Sequence, residues 1–223
     1  MSNVLEFKQV TRQYAGSPPV IALDQVDLAV ARGAFAAVVG PSGSGKSTLL
    51  NLASGLDRPT RGEILLGGRA LTGLSQPELS RFRSRHVGFI FQAYNLFPVL
   101  TSLENVEYTS VVRGDPPAQA RARAIQALQA VGLGDRLEFR PTQLSGGQQQ
   151  RVAVARALAS EPEIIFADEP TANLDSKTAQ ELIDLFEEIN RTHGATFLFS
   201  THDPNLVSRV TTRYTMRDGR LLV

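Results

Sequence analysis

In residues 4–10, Leu5 and Phe7 alternate with charged or polar neighbours, a period-two pattern that predicts a strand with one buried face. The alternation returns over residues 21–30 at Leu23, Val26, Leu28 and Val30, after a turn at Gly16-Ser17-Pro18-Pro19. Four shorter stretches are largely apolar at consecutive positions: residues 34–39, 87–91, 164–167 and 196–200. Such runs predict strands covered on both faces, as in a parallel sheet. Between them the period changes to that of a helix. Leu182, Leu185, Phe186 and Ile189 fall at i, i+3, i+4 and i+7 and predict an amphipathic helix over Ser176–His193. Ile125, Leu128 and Val131 do the same for a helix that opens at Pro116-Pro117 and ends at Gly132. Ser75 with Glu78, and Thr101 with Glu104, are capping boxes for two more helices, the first running to about Arg85. Residues 62–71 read as a hairpin turned at Gly67-Gly68, and Asp218-Gly219 turns another.

Strands that alternate with helices imply an α/β fold, a mostly parallel sheet with helices on both faces. Residues from about 95 to 160 look mainly helical and interrupt it. Ligands in such sheets lie at the carboxyl ends of the strands. Three polar features follow strands here: the loop after Val39, Asp168 and His202. They are expected to meet at one edge.

The loop is Gly40-Pro41-Ser42-Gly43-Ser44-Gly45-Lys46-Ser47-Thr48, which fits G-x-x-x-x-G-K-[ST], the phosphate-binding loop of nucleotide hydrolases. Consecutive backbone N–H groups wrap a polyphosphate, so side chains must be absent where the chain curls close. Lys46 brings an ammonium to the outer phosphates, and the Ser47 hydroxyl suits Mg²⁺. From Ser47 a helix runs to near Gly55 and directs its N-terminus at the anion. Asp168 and Glu169 end an apolar strand, so the two carboxylates point apart. Asp168 would hold the Mg²⁺ shell, and Glu169 would polarise the attacking water, a role worth ~10²–10⁴-fold.

Leu144-Ser145-Gly146-Gly147-Gln148 places a hydroxyl and two glycines just before a further helix, a second anion site in one chain. One triphosphate rarely needs two. This stretch is similar to the signature of ABC-transporter ATPases, and the rest of that family's pattern follows in order over essentially the whole chain. Tyr14 matches the aromatic that stacks on adenine, and Gln92 matches the Q-loop. Ala172-Asn173-Leu174-Asp175 matches the D-loop, although Asp175 also suits a helix cap, and Thr201-His202-Asp203 contains the switch histidine. The resemblance implies a P-loop NTPase core with a small antiparallel β subdomain and an inserted α-helical subdomain. It forms one domain over 1–223, with 1–92 and 161–223 as the core and about 93–160 as the helical part. It implies ATP hydrolysis with Mg²⁺ held by Ser47, Gln92 and Asp168, and with Glu169, His202 and Lys46 as catalytic groups. It also implies a head-to-tail homodimer formed on ATP binding. Ser145, Gly146, Gly147 and Gln148 of one copy would then face the phosphates held by the loop of the other.

Composition narrows the class further. A net charge of +1 gives no electrostatic argument for nucleic acid or a membrane surface, and zero cysteines exclude thiol chemistry. No signal peptide is visible and no stretch approaches ~20 apolar residues, so a membrane role is expected to come through a partner. The interval from Thr48 to Leu144 carries Pro59, Pro77, Pro98 and Pro116-Pro117 and no heptads, unlike the DNA-repair and chromosome members of the superfamily. Residues 55–60, 89–98, 103–106 and 216–221 look like the ATPases of lipoprotein-releasing and macrolide-exporting systems. That likeness implies an integral membrane permease as partner and a peripheral location on the cytoplasmic face of the inner membrane. The alternative is a non-transporting regulatory ATPase acting on a cell-wall or assembly partner. Phe91, Tyr94, Leu96, Phe97 and Leu100 are expected to form the groove for the partner. His86 and His193 have no catalytic context and read as structural or surface residues.

Overall fold

The computed structural model describes residues 2–222. Its centre is a sheet of six strands whose side chains divide between two cores. These strands are β3 (Phe35–Val39), β6 (Val87–Ile90), β7 (Ile164–Asp168), β8 (Phe197–Thr201), β9 (Thr212–Arg217) and β10 (Arg220–Leu222), in spatial order β10-β9-β3-β8-β7-β6. All neighbouring pairs are parallel except β9 with β10. Because strand side chains alternate, Phe35, Ala37, Ile165, Ala167, Phe197 and Phe199 project to one face. Ala36, Val38, Ile164, Phe166 and Leu198 project to the other. Neither side is wet, which is why these segments show no polar alternation in sequence. Phe166, Phe197 and Phe199 are fully buried, each contributing about 1.5–3 kcal/mol of transfer free energy.

The second face is covered by helix α1 (Lys46–Ala53) and by an antiparallel sheet in the order β2-β1-β4-β5. That sheet contains β1 (Asn3–Tyr14), β2 (Val20–Ala31), β4 (Arg61–Leu66) and β5 (Arg69–Ala70). β1 and β2 run longer than their apolar alternation, and their register shifts at bulges between Phe7 and Val10 and again before Tyr14. Each bulge resets the inward–outward period, so the outer halves lose the pattern. Helix α2 (Gln76–His86) begins at the expected capping box.

On the first face lie α3 (Ser102–Arg113), α4 (Pro117–Ala130), α5 (Gly146–Leu158) and α6 (Ser176–His193). Helix α7 (Pro204–Arg209) has no counterpart in the sequence reading, whereas β9 and β10 form the hairpin expected at Asp218-Gly219. In β9 only Met216 is buried, so the turn rather than an apolar run marks this strand in the sequence. Helix α5 starts one residue before Gly147 rather than after it, because Ser145 caps it and accepts from the Gln148 N–H.

The packing of α5 against α6 turns on one missing side chain. A Cβ at Gly147 would overlap the Thr178 Cγ2 methyl. Thr178 is fixed there: its hydroxyl donates to Asp175 Oδ2 at 2.6 Å, while Asp175 Oδ1 accepts from the N–H groups of Lys177 and Thr178 at the start of α6. The Thr178 hydroxyl and these N–H groups hold the Asp175 carboxyl below its ordinary range. Gly147→Ala is therefore expected to destabilise the protein by about 1–3 kcal/mol through overpacking. Adding Thr178→Ser removes the methyl and keeps the hydroxyl, and should restore most of the loss in denaturant unfolding. A double variant no more stable than Gly147→Ala would refute this account.

Candidate functional site

Parallel pairing aligns three chain segments at the carboxyl edge of the central sheet. Val39 sits opposite Thr201, and Asp168 opposite Ser200, so the loops after β3, β7 and β8 leave the sheet side by side. An open cavity of about 710 Å³ lies over this edge, lined by every residue from Gly40 to Thr48 except Ser44, and by Gln92, Glu169 and His202. The loop's curl is tight. A Cβ at Gly40 would fall on the Met216 carbonyl, and Gly45, at φ 108°, has space for none within 2.6 Å of the Ala22 carbonyl.

Lys46 is the first residue of α1, and its ammonium donates to the carbonyls of Gly40 (2.9 Å) and Pro41 (3.1 Å). The group is nearly buried, held by neutral acceptors at the cavity wall. A phosphate would replace them with negatively charged oxygens, which add the attraction of opposite charges to the hydrogen bonds. Ser47 Oγ donates to Asp168 Oδ1 at 3.3 Å, so a hydroxyl and a carboxylate from different elements converge beside the loop. This pair of hard oxygens suits Mg²⁺, which takes few protein ligands and completes its shell with phosphate and water. Gln92 is exposed at the cavity, and its backbone carbonyl accepts from Asn173 Nδ2 at 2.9 Å.

Glu169 adopts φ 45°, a left-handed conformation uncommon outside glycine and asparagine. Its N–H donates to the Ser200 carbonyl at 2.8 Å, and its Oε1 lies 2.8 Å from His202 Nδ1. The carboxylate is mostly covered, with its side chain 17% exposed, whereas the imidazole is 75% exposed and free to meet a ligand. Next to them, Thr171 Oγ1 donates to Asp203 Oδ2 at 2.9 Å and ties the loop after β7 to the one after β8.

Other residues singled out in the sequence lie away from this cavity. Tyr14 closes β1, outside the lining; its hydroxyl donates to Asp57 Oδ2 at 2.8 Å, and the Arg12 guanidinium sits 4.3 Å from its ring centre. One ring face is thus already engaged. Ser145, Gly146, Gly147 and Gln148 also lie outside the lining. Ser145 is exposed at the N-terminus of α5, where its N–H donates to Gln148 Oε1 at 3.0 Å, and Gly146 lies beside the Tyr94 hydroxyl. Asp175 is exposed as the cap of α6.

The apolar cluster read from residues 91–100 is divided. Phe91 and Phe97 line an apolar groove of about 410 Å³ together with Leu56, Phe89, Tyr108 and Val112. Leu96 instead packs on the core, and Tyr94 turns toward Gly146. The residues that complete the groove come from distant positions, so local composition could not supply them. Gln150 and Asn105 were also missed. Each is fully buried and bonds to backbone, Gln150 to the Pro170 carbonyl and Asn105 to the N–H of Phe97 and three carbonyls of the 97–101 loop. Helical spacing from Ala153, Val154 and Ala157 would have put Gln150 on the inward face.

The ABC transporter family profile matches residues 23–172. Among curated relatives, the lipoprotein-releasing system ATP-binding protein LolD of Alcanivorax borkumensis is 44% identical over 98% of this chain and 96% of its own length. The macrolide export ATP-binding/permease protein MacB of Marinobacter nauticus is 45% identical over 98% of this chain, which spans only 34% of that longer protein. Among solved structures, the dimeric post-hydrolysis state of the ATP-binding cassette MJ0796 bound to ADP and Pi superposes with a TM-score of 0.88 at 40% identity, covering 98% of this chain and 97% of that one. A phosphate loop, a carboxylate–histidine pair and a signature helix, carried on one fold with relatives aligned along nearly its whole length, have a single explanation: this chain belongs to the ABC transporter family, as an ATP-binding ATPase subunit.

Proposed function

We propose that this subunit hydrolyses ATP between two copies of itself and drives a membrane permease of the lipoprotein-release or macrolide-export type. The observation that carries the proposal is the split of the site. The phosphate loop, Glu169 and His202 share one cavity, while Ser145 to Gln148 open a helix outside it, its capping box engaging the N–H groups of Ser145 and Gln148 and leaving Gly146 and Gly147 in the first turn between them. A second copy arranged head-to-tail would bring that positive helix end to the phosphates. Residues 93–160 then act as a helical lobe that carries it.

Within each site Lys46 exchanges loop carbonyls for phosphate oxygens. Glu169 takes a proton from the attacking water, and His202 keeps its carboxylate oriented. Tyr14, fixed by Asp57 and Arg12, offers its remaining ring face to adenine. Ser47, Asp168 and Gln92 would hold Mg²⁺, whose charge offsets that of the phosphates.

The partner side is the apolar groove. The Phe97 and Tyr108 rings meet at a tilt of 53° with centroids 4.6 Å apart and both are exposed, and Asn105 fixes the loop that presents Phe97. We infer that a short helix from the permease packs here, which would hold the subunit at the cytoplasmic face of the inner membrane. Nothing in the site favours the regulatory, non-transporting alternative.

Two outcomes are expected. Glu169→Gln should bind ATP without turnover and run as a dimer in size-exclusion chromatography with saturating ATP and Mg²⁺; a monomer under those conditions contradicts the shared site. Phe97→Ala with Tyr108→Ala should keep most basal ATPase activity and lose copurification with the permease about tenfold or more, the loss of ~1.4 kcal/mol that two truncated anchors easily reach. Undiminished copurification would remove the groove from the docking surface.

A further inference from the structure

Gln150 lies on the buried face of α5, two residues beyond the signature, and is 0% exposed. Its amide nitrogen donates to the Pro170 carbonyl at 2.8 Å and contacts the Phe91 carbonyl at 3.5 Å. Two carbonyls on one side fix which end of the amide is nitrogen. Its oxygen has no hydrogen-bond partner among the described residues. A buried amide is placed by whichever of its ends finds partners. This one is held by its donor end only.

The two carbonyls belong to the segments that matter for hydrolysis. Pro170 follows Glu169, whose backbone is in the left-handed region and needs its surroundings to keep it there. On one side the Glu169 N–H is anchored to the Ser200 carbonyl; on the other, Gln150 holds the next peptide carbonyl. Phe91 precedes Gln92, whose own carbonyl is held by Asn173. One side chain on the signature helix thus touches the backbone beside both the base and the Q-loop residue.

We propose that Gln150 is a positioning residue for hydrolysis: through the Pro170 carbonyl it fixes the strained Glu169 backbone, and through Phe91 it ties that setting to the position of the signature helix. When α5 is drawn toward nucleotide on a second copy, Gln150 carries the displacement to the base. Chemistry is then coupled to closure within one chain. The proposal rests on the reading of Glu169 as the base that activates water.

The test uses the purified full chain and ATP with Mg²⁺. Gln150→Met keeps the shape and removes the donor. It should lower kcat about 10- to 100-fold, the scale of a small misplacement of a reacting group, with KM and ATP affinity unchanged within about twofold. Gln150→Glu supplies a donor only while protonated, and a buried carboxyl facing carbonyls favours that neutral form. Its kcat relative to wild type should therefore be highest at low pH and fall as pH rises, whereas the Gln150→Met ratio stays flat. Unchanged kcat in a folded Gln150→Met protein overturns the proposal. Parallel loss of thermal stability, ATP affinity and kcat, with no pH-dependent rescue in Gln150→Glu, overturns it too, since that pattern marks packing alone. Glu169→Gln serves as the control: if it hydrolyses ATP normally, the underlying reading fails, and if it is inactive while Gln150→Met is normal, only the positioning role fails.

Discussion

The register of three parallel strands governs where everything else can be. With Val39 opposite Thr201 and Asp168 opposite Ser200, the chain leaves β3, β7 and β8 within one residue step of a common line. A slip of one residue would send every side chain to the opposite face and move Glu169 away from His202. The two cores hold this register, because the alternating rows on each strand fit only one set of partners. The aromatic row of Phe35, Phe197 and Phe199 on one face locks β3 to β8, with ring centroids 4.9–5.8 Å apart. Placement of the phosphate loop is thus a consequence of packing remote from nucleotide.

Electrostatics acts on that frame through short, local contacts. Lys46 donates to two neutral carbonyls, so its ammonium is buried and, among the described residues, is tied to no carboxylate that a phosphate would have to displace. The Glu169–His202 pair pairs a covered oxygen with an exposed ring, so the imidazole can read the ligand while the acid stays oriented. With a net charge of only +1 in the whole chain, specificity for a polyphosphate comes from this arrangement and from helix N-termini.

How much of this the sequence disclosed depends on whether the information is local. The phosphate loop is nine consecutive residues with a fixed backbone task, so its types and spacing carry its chemistry. Buried parallel strands announce themselves as apolar runs, and all four of those read in the sequence are strands of the central sheet. Strand β9 showed only through the turn at Asp218-Gly219, since Met216 is its one buried side chain. Gln150 looked like one of three glutamines in a polar run, and only its helical phase separates it from Gln148 and Gln149. The setting of Tyr14 required Asp57 and Arg12 to be brought together by tertiary structure, and the apolar groove required Leu56 and Tyr108. Pairings of that kind have no signature along a single chain.

The backbone at Glu169 sets two demands against each other. Its φ of 45° suits glycine or asparagine, and a glutamate there carries strain on the order of 1–3 kcal/mol. Chemistry asks for a carboxylate at the same place. Drift in a chain released from hydrolysis would run toward the relaxed residue types, since the fold itself would gain by the exchange. Under the proposed function the fold bears that strain in order to hold a carboxylate at the end of β7.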